Sequence, residues 1–479
     1  MVADAVTGTD GRRGFVEHVK PFPPVEAFFP RRKFDPDAPI CFVHVMKTAG
    51  TTVRLTLENA FDGEQVFPSG SSAYVGGYLK LREALQAGDD FNSYAAISGH
   101  YGWKITAHLS ARANLFTWFR EPRDRAISHF FFKVVQNRAE GTGALLQRID
   151  SGERLESIFM DWARKMFVQP FHALAVGNPD KGYGAAKGGP YRDVAIDVLH
   201  RCFFIGLLED HERSLDGLSA LTSILPPKQE VKRNVGVKRG KGLSLLADEQ
   251  AEFDSLLATE IAFYERVRQV YDHQMKELRE AQDENPAFGL IGNREGLRQY
   301  LLGLPQMARR RKLTQWKAWD AVQGENLDSR EEFKEKDGKR SRWRWTASMP
   351  DTYLYFDPPP GPFRIRLRLN PATPLENARN AELRIAGHEI DLRLEAAPSG
   401  RNDLVGEISA GLRATFPETL EFHIHTPVML DESKFGYRVG TRMLGLALES
   451  ISAEPLPDPW IRRFGRLVVR MLSSLKPLP

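Results

Sequence analysis

Cysteine is nearly absent from this sequence: its 479 residues include only Cys41 and Cys202. Two cysteines cannot form several bridges, which excludes the small secreted folds that a disulfide framework stabilises. Both residues lie in apolar runs that predict strands, at 40–45 and 202–208. We therefore expect two buried free thiols.

Long hydrophobic runs are missing as well. No stretch approaches the roughly 20 apolar residues of a membrane-spanning helix. The first twenty residues carry several charges and no apolar segment of the kind that a signal peptide requires. From these absences we expect a cytoplasmic protein.

Charge of one sign is not in excess either. Lysine and arginine number 66 against 62 aspartate and glutamate residues, a formal net charge of +4. This is too little for a chain-wide field that attracts nucleic acid, so we expect no nucleic-acid partner. With 42% hydrophobic residues, the chain is long enough for two or three domains with sizeable cores.

The clearest local pattern begins at the first apolar run. Residues 40–45 are followed by a short segment of mostly small and polar residues, 47–52, after which apolar residues recur at helical spacing. This pattern predicts a buried strand, a tight turn and a helix start. The N–H groups and dipole of a helix start favour an anion, and Lys47 adds a positive charge. We interpret the segment as a phosphate-binding loop.

A second join of the same kind follows residues 114–119. That run predicts a strand buried on both faces, and Arg120 and Pro122 come directly after it. Pro122 suits the first position of a helix, which would carry Ser128. Parallel strands bring such joins to one edge of a sheet, where α/β proteins bind ligands. Between the two joins, a predicted strand ends at His100.

Alternation of strands and helices over residues 39–280 predicts an α/β domain with a mostly parallel sheet covered on both faces. Residues 1–38 are rich in proline and predict an irregular lead-in. Residues 281–341 are highly charged and predict a helical or partly disordered linker. Over residues 342–455 the hydrophobic pattern has period two, which predicts a β-sandwich-like domain. A basic tail completes the chain at 456–479.

Within that tail, residues 460–472 place apolar side chains on one helical face and arginines on the other. Basic amphipathic helices of this kind lie in anionic membrane interfaces. The alternative is a helix that packs on its own domain. We therefore predict peripheral membrane contact as one role of this segment.

The two joins resemble the nucleotide-binding motifs of the carbohydrate sulfotransferases. The segment FVHVMKTAGTT at 42–52 is similar to that family's strand followed by H-x-P-K-T-A-G-T-S/T. The segment FREPRDRAISH at 119–129 is similar to its R-D/E-P-x-x-R-x-x-S, and SGHY at 98–101 lies between them. The resemblance covers about residues 38–275 and implies the P-loop-like, three-layer sulfotransferase fold.

The resemblance also implies a co-substrate, 3′-phosphoadenosine 5′-phosphosulfate (PAPS), and transfer of its sulfuryl group to a hydroxyl of a carbohydrate or glycoconjugate. The first loop would hold the 5′-phosphosulfate through Lys47, Thr48, Ala49, Gly50, Thr51 and Thr52. Lys47 would also neutralise charge on the leaving phosphate. Arg120 and Ser128 match the positions that hold the 3′-phosphate. Arg239, in a basic loop at 232–241, is a further candidate for the same phosphate.

The acceptor hydroxyl must lose a proton, which calls for a general base. His100 matches the family's catalytic histidine; the alternative is a structural histidine that bonds a backbone carbonyl. His44 belongs to the first motif, and we expect it to be structural, while His129 is a weaker candidate for contact with substrate. Met46 replaces the family's proline, so we expect a less pre-organised loop.

Two other functions stay open. A nucleotide-dependent kinase also uses a strand–loop–helix cradle, but the sequence has no G-x-x-x-x-G-K-S/T and its Lys47 precedes the glycine. A non-catalytic glycan-binding protein on the same fold would suit the β-rich part and the basic tail. Sulfuryl transfer requires no metal ion, and we find no clustered carboxylates for Mg²⁺, so we expect no metal.

Overall fold

The structure is a computed structural model. It describes residues 22–48, 50–68, 73–101, 103–140, 143–166, 191–228, 243–304, 315–325, 327–334, 340–347, 349–357, 359–397, 401–417, 419–431 and 443–456. Four of the segments discussed above lie outside the described residues. They are Ala49, the loop at 232–241 with Arg239, the first part of the lead-in and the tail at 460–472.

A five-stranded parallel sheet forms the centre of the first part of the chain. Its strands are β1 (Ile40–Val43), β2 (Val66–Phe67), β3 (Ala96–Gly99), β4 (Asn114–Phe119) and β5 (Cys202–Leu207). Their spatial order is β2-β3-β1-β4-β5, and each neighbouring pair is parallel. Every residue of β1, β4 and β5 is buried, so both faces of these strands are covered. The predicted α/β class with a parallel sheet is confirmed.

Helices follow and cover these strands. They are α1 (Gly50–Ala60), α2 (Ala73–Ala87), α3 (Trp103–Thr106), α4 (Pro122–Glu140), α5 (Ala144–Asp150), α6 (Leu155–Met166), α7 (Tyr191–Arg201), α8 (His211–Thr222), α9 (Ala247–Glu280), α10 (Pro286–Gly289) and α11 (Arg294–Gly303). The long helix α9 contacts both β5 and α4. Among the described residues, none of the helices has the length and apolar character that crossing a membrane requires.

Both cysteines belong to this core. Cys41 in β1 and Cys202 in β5 are buried free thiols, as predicted. Burial raises the pKa of the Cys41 thiol to about 12 and raises the pKa of Cys202 as well. These thiols therefore stay protonated at neutral pH and act as small apolar side chains.

The rest of the described chain is mostly antiparallel. Its elements are β6 (Gln315–Lys317), β7 (Gln323–Glu325), β8 (Leu327–Lys334), β9 (Arg340–Ala347), β10 (Asp351–Phe356), β11 (Phe363–Leu369), α12 (Leu375–Arg379), β12 (Glu382–Ile385), β13 (His388–Ile390), β14 (Arg393–Ala396), β15 (Asn402–Ile408), α13 (Ala410–Ala414), β16 (Leu420–His425), β17 (Leu430–Asp431) and β18 (Met443–Pro455). One sheet has the order β13-β12-β16-β10-β7. The other is eight-stranded: β14-β15-β11-β18-β9-β8, with β6 and β17 paired to β18.

The two antiparallel sheets share one apolar core, to which both contribute alternate residues. In β11 the apolar side chains of Phe363, Ile365, Leu367 and Leu369 are buried in this core. The arginines between them lie on the other face, where Arg364 pairs with Glu407 and Arg366 with Asp403. The period-two pattern over 342–455 thus correctly predicts antiparallel strands.

The charged segment before residue 342 differs from its prediction as a helical or disordered linker. It contains α10 and α11, but from residue 315 onward the described residues form β6, β7 and β8, which join the antiparallel sheets. Two charged residues of this segment, Arg330 and Glu331, are at most 4% exposed, as is Arg344 in the neighbouring strand β9. Where the chain divides into domains stays a prediction.

These buried charges lie against the end of helix α1. The Asn59 amide donates to the carbonyl of Gly324 at 3.0 Å, and its oxygen accepts from Arg344 at 2.5 Å. The Asn59 carbonyl accepts from the N–H of Val322 at 2.8 Å. Arg330 in turn donates to the carbonyl of Phe61 at 2.5 Å. Helix α1 is therefore anchored to the antiparallel part of the chain at its carboxyl end.

We predict that Asn59→Ala lowers the stability of the protein by about 1.5–3 kcal/mol, because a buried arginine loses a hydrogen-bond acceptor. The measurement is the shift of the urea unfolding midpoint. Asn380→Ala is the matched control, since the exposed Asn380 side chain bonds only within its own helical turn. That control should change stability by less than about 0.5 kcal/mol. Equal shifts for both variants would contradict the anchoring role of Asn59.

Candidate anion-binding site

Three predicted site residues follow three neighbouring strands. Strand β1 lies between β3 and β4, and all three run parallel. Lys47 follows β1, His100 follows β3 and Arg120 follows β4. Because the carboxyl ends of parallel strands meet at one edge, the fold brings these side chains to the same edge of the sheet.

Lys47 occupies the turn after β1 with a left-handed backbone conformation, φ 66°. Its side chain is half-buried, and its Nζ lies 4.4 Å from the ring centroid of Phe132 in α4. Burial, together with the smaller effect of the nearby Arg120 guanidinium, lowers the pKa of Lys47 to about 8. Within the described part of the chain no carboxylate pairs with Lys47. Two cations thus lie close together, which favours binding of an anion between them.

The other loop residues divide into two groups. Thr48 is fully buried, and its hydroxyl donates to the carbonyl of Val45 at 2.7 Å, so this proton stabilises the turn. The assignment of Thr48 to the phosphosulfate stays a prediction. Gly50, Thr51 and Thr52 form the first turn of α1, whose N–H groups point out of the helix end. Met46 is only 9% exposed, so packing holds the position that proline would stiffen.

His44 lies between the loop and His100. Its ring stacks on the His100 ring with centroids 4.1 Å apart. A Cβ atom at Gly50 would lie 1.8 Å from His44 Nε2, so only glycine fits there. Burial lowers the pKa of His44 well below its usual range, and the charges of His100, Arg54 and Lys47 act in the same direction. His44 is therefore a neutral ring that supports the start of α1.

His100 is oriented by the backbone of β1. Its Nδ1 lies 2.7 Å from the carbonyl oxygen of His44. Since a carbonyl only accepts, Nδ1 carries the proton and, in the neutral ring, Nε2 carries the lone pair. The bond is the one expected of a structural histidine, and it also sets the tautomer that a general base needs. Its role as the base stays a prediction.

The second join places Arg120 and Ser128 on or beside α4. The side chain of Arg120 is 11% exposed and lies 3.5 Å from the Asp124 carboxylate. Ser128 is half-buried two turns further along the helix. Phe132, one turn beyond Ser128, is 42% exposed although it is a large apolar residue. The sequence analysis did not predict Phe132 as a residue of this site. Its position four residues after Ser128, on the same side of the helix, was the available signal.

Arg125, also in the second motif, has a structural position. It is 1% exposed and lies near Glu260 of α9, which is fully buried. Burial raises the pKa of Glu260 well above its usual range, while Arg125 opposes that shift. Burial also lowers the pKa of Arg125, to about 10. Arg125 thus lies in the interior near α9, a position that the motif alone did not reveal.

A cleft beside the second join has the opposite charge. Its lining carries more carboxylates than cations: the acidic residues are Glu121, Glu209, Asp210, Glu265 and Asp272, and the basic ones are Arg123 and Arg268. The Glu209 carboxylate accepts from the N–H of Glu121 at 2.7 Å. Repulsion from these carboxylates makes the cleft a poor place for phosphates. The turn after β1 is therefore the better anion site.

Comparison with known proteins identifies no family. No protein-family model matches the chain, and no curated protein matches it. One solved structure with some similarity is described as "a novel family GH115 4-O-Methyl-alpha-glucuronidase, BtGH115A, with specificity for decorated arabinogalactans". It is 11% identical, with 79% of this chain and 60% of that chain covered, and its TM-score is 0.16. A TM-score this low carries no argument about fold or function.

We predict that Gly50→Ala displaces His44 or the first turn of α1, because the added methyl group and the ring would occupy the same space. Affinity for a phosphorylated nucleotide should fall at least tenfold, and overpacking should cost about 1–3 kcal/mol of stability. Calorimetric titration with adenosine 3′,5′-bisphosphate and urea unfolding measure the two effects. Gly303→Ala is the control, since a Cβ there meets nothing within 4 Å. Unchanged affinity in Gly50→Ala would contradict this assignment of the site.

Proposed function

We propose that this protein is a PAPS-dependent sulfotransferase that transfers a sulfuryl group to a hydroxyl of a carbohydrate or glycoconjugate. The supporting observation is the order of the parallel sheet. Lys47, His100 and Arg120 follow three adjacent strands, with the anion-binding turn in the middle. The proposal includes the P-loop-like sulfotransferase fold for the part of the chain that the resemblance covers.

The charges at this edge suit a donor with two anionic groups. Lys47 and Arg120 come from different strands, and repulsion by the Arg120 guanidinium adds to burial in lowering the pKa of Lys47. A bound dianion would remove that repulsion, and the helix dipole of α1 would add to the attraction. A 5′-phosphosulfate at the turn and a 3′-phosphate near Arg120 and Ser128 is the arrangement that the resemblance implies.

Bound PAPS would supply the sulfuryl group, whose bond to the 5′-phosphate oxygen breaks as the acceptor oxygen attacks sulfur. The chain's own residues then have two tasks. His100 Nε2, set in the correct tautomer by the His44 carbonyl, would receive the proton of the acceptor hydroxyl. Lys47 and the first turn of α1 would stabilise negative charge on the leaving phosphate.

A cytoplasmic location, with peripheral membrane contact through residues 460–472, stays a prediction of the sequence. So does the absence of a metal requirement. The location and the lack of a metal requirement are therefore parts of the proposal. The carbohydrate nature of the acceptor rests on the resemblance alone. A screen of glycan acceptors with labelled PAPS, read by mass spectrometry of the product, tests the acceptor class directly.

We predict that affinity for adenosine 3′,5′-bisphosphate falls as the pH rises above 8, because the pKa of Lys47 is about 8 and the bound dianion would raise it. Well above that pKa the loss should approach tenfold per pH unit. Calorimetric titrations between about pH 7 and pH 9.5 measure the effect. Lys47→Arg is the matched control, since its guanidinium keeps its charge throughout this range.

The same titrations separate the alternatives. A sulfotransferase should bind adenosine 3′,5′-bisphosphate without metal, whereas a kinase should prefer ATP with Mg²⁺. Wild-type affinity that is independent of pH would contradict the role of Lys47. A protein that binds glycans but neither nucleotide would favour the non-catalytic alternative.

We predict that His100→Ala lowers the rate of sulfuryl transfer by about 10²–10⁴-fold, because the acceptor hydroxyl loses its general base. Nucleotide affinity should change much less, since the loop and Arg120 remain. Transfer from labelled PAPS and calorimetry report the two quantities. His108→Ala is the control, because His108 is an exposed residue after α3. Full activity in His100→Ala would refute the base assignment, and loss of both properties would indicate a structural role.

A further inference from the structure

A second cluster of functional side chains lies far along the chain, on the antiparallel sheet that contains β10 and β16. His423 and His425 are two residues apart in β16, so both rings project from the same face. Strand β10 runs antiparallel beside β16 and places Asp351 directly opposite His425. The strand register therefore brings one carboxylate and two imidazoles together.

The ligand atoms of these side chains converge. His423 Nε2 and His425 Nδ1 each lie 2.7 Å from the same oxygen, Asp351 Oδ1. One atom from each of the three residues lies within 4.8 Å of the others. The side chain of His423 is 17% exposed, that of His425 31% and that of Asp351 26%, so solvent reaches the cluster.

We propose that Asp351, His423 and His425 bind a divalent transition-metal ion, with Zn²⁺ as its best representative. Two imidazole nitrogens and one carboxylate oxygen are a ligand set that Zn²⁺ and Fe²⁺ favour. At bond lengths of about 2.0–2.1 Å, tetrahedral ligand atoms lie about 3.4 Å apart. Each nitrogen then moves about 0.7 Å from the oxygen, which small side-chain rotations allow. The metal ion would replace the two N–H···O contacts.

Neighbouring side chains hold the ligands in place. The Tyr353 ring stacks on the His423 ring with centroids 4.6 Å apart and an angle of 13° between the planes. Lys228 Nζ lies 4.4 Å from the Tyr353 ring centroid. The stacked Tyr353 ring restricts the orientation of the His423 ring. Three protein ligands would leave a coordination position for water or another ligand, which the partial exposure of the site permits.

The site goes beyond the proposed sulfuryl transfer and does not depend on it. Its ligands belong to β10 and β16, whereas the anion-binding turn belongs to the parallel sheet. The sequence predicts no metal, a prediction argued from the needs of sulfuryl transfer and from the lack of clustered carboxylates for Mg²⁺, and the proposed site departs from it. A metal ion held by two histidines and one carboxylate has a different position and chemistry.

The test is titration of the full-length, chelator-treated protein with Zn²⁺ alone, followed by calorimetry. We expect one strongly bound ion per chain. The variants Asp351→Asn, His423→Gln and His425→Gln should each weaken this binding at least tenfold, because each removes one ligand. His388→Gln is the matched control: His388 lies in β13 of the same sheet, is exposed and is outside the cluster. It should bind Zn²⁺ like the wild type.

Binding of Co²⁺ to the wild-type protein gives an independent readout, since its visible absorption reports nitrogen ligands and coordination number. Circular dichroism verifies that each variant is folded. Absence of Zn²⁺ binding by the wild type at micromolar concentration would overturn the proposal. Wild-type affinity for Zn²⁺ in all three variants would also overturn it. Adenosine 3′,5′-bisphosphate affinity of Asp351→Asn, expected to be unchanged, separates this result from the outcome for the proposed function.

Discussion

The candidate site depends on one close contact, between the ring of His44 and Gly50. Any side chain at Gly50 would overlap that ring, so the turn can approach the end of β1 only with glycine there. The same His44 stacks on His100 and offers its carbonyl to His100 Nδ1. One residue thus sets both the start of α1 and the orientation of the candidate base. The positions of the helix dipole, the lysine and the histidine are consequently coupled.

Helix α1 extends this coupling to the antiparallel part of the chain. Its first turn belongs to the anion-binding loop, and its last turn carries Asn59, which bonds to Arg344 and to two backbone groups. The arginine is fully buried, so its desolvation must be offset by such bonds. Helix α1 thus connects the anion-binding loop to the antiparallel part of the chain.

Charged residues have two different roles in this molecule. Arg125 on α4 and Glu260 on α9 lie near one another in the interior. Lys47 and Arg120 instead have like charges close together at the edge of the sheet. Because no carboxylate pairs with Lys47 among the described residues, the repulsion between the two cations destabilises the empty site. A bound anion turns this arrangement into a favourable one. The contrast between these pairs separates structural charges from candidate functional ones.

Local sequence determined the elements whose signal is local. The apolar run at 114–119 predicted a strand with the bounds that the structure has, and the turn before α1 was evident from its small residues. Tertiary structure alone decided the burial of Arg330 and Arg344, because their partners lie on α1 and the loop after it, more than 200 residues earlier. Tertiary structure also brings Asp351 next to His423 and His425. Their proximity follows from the register of β10 and β16, which depends on pairing across the sheet and not on spacing along the chain.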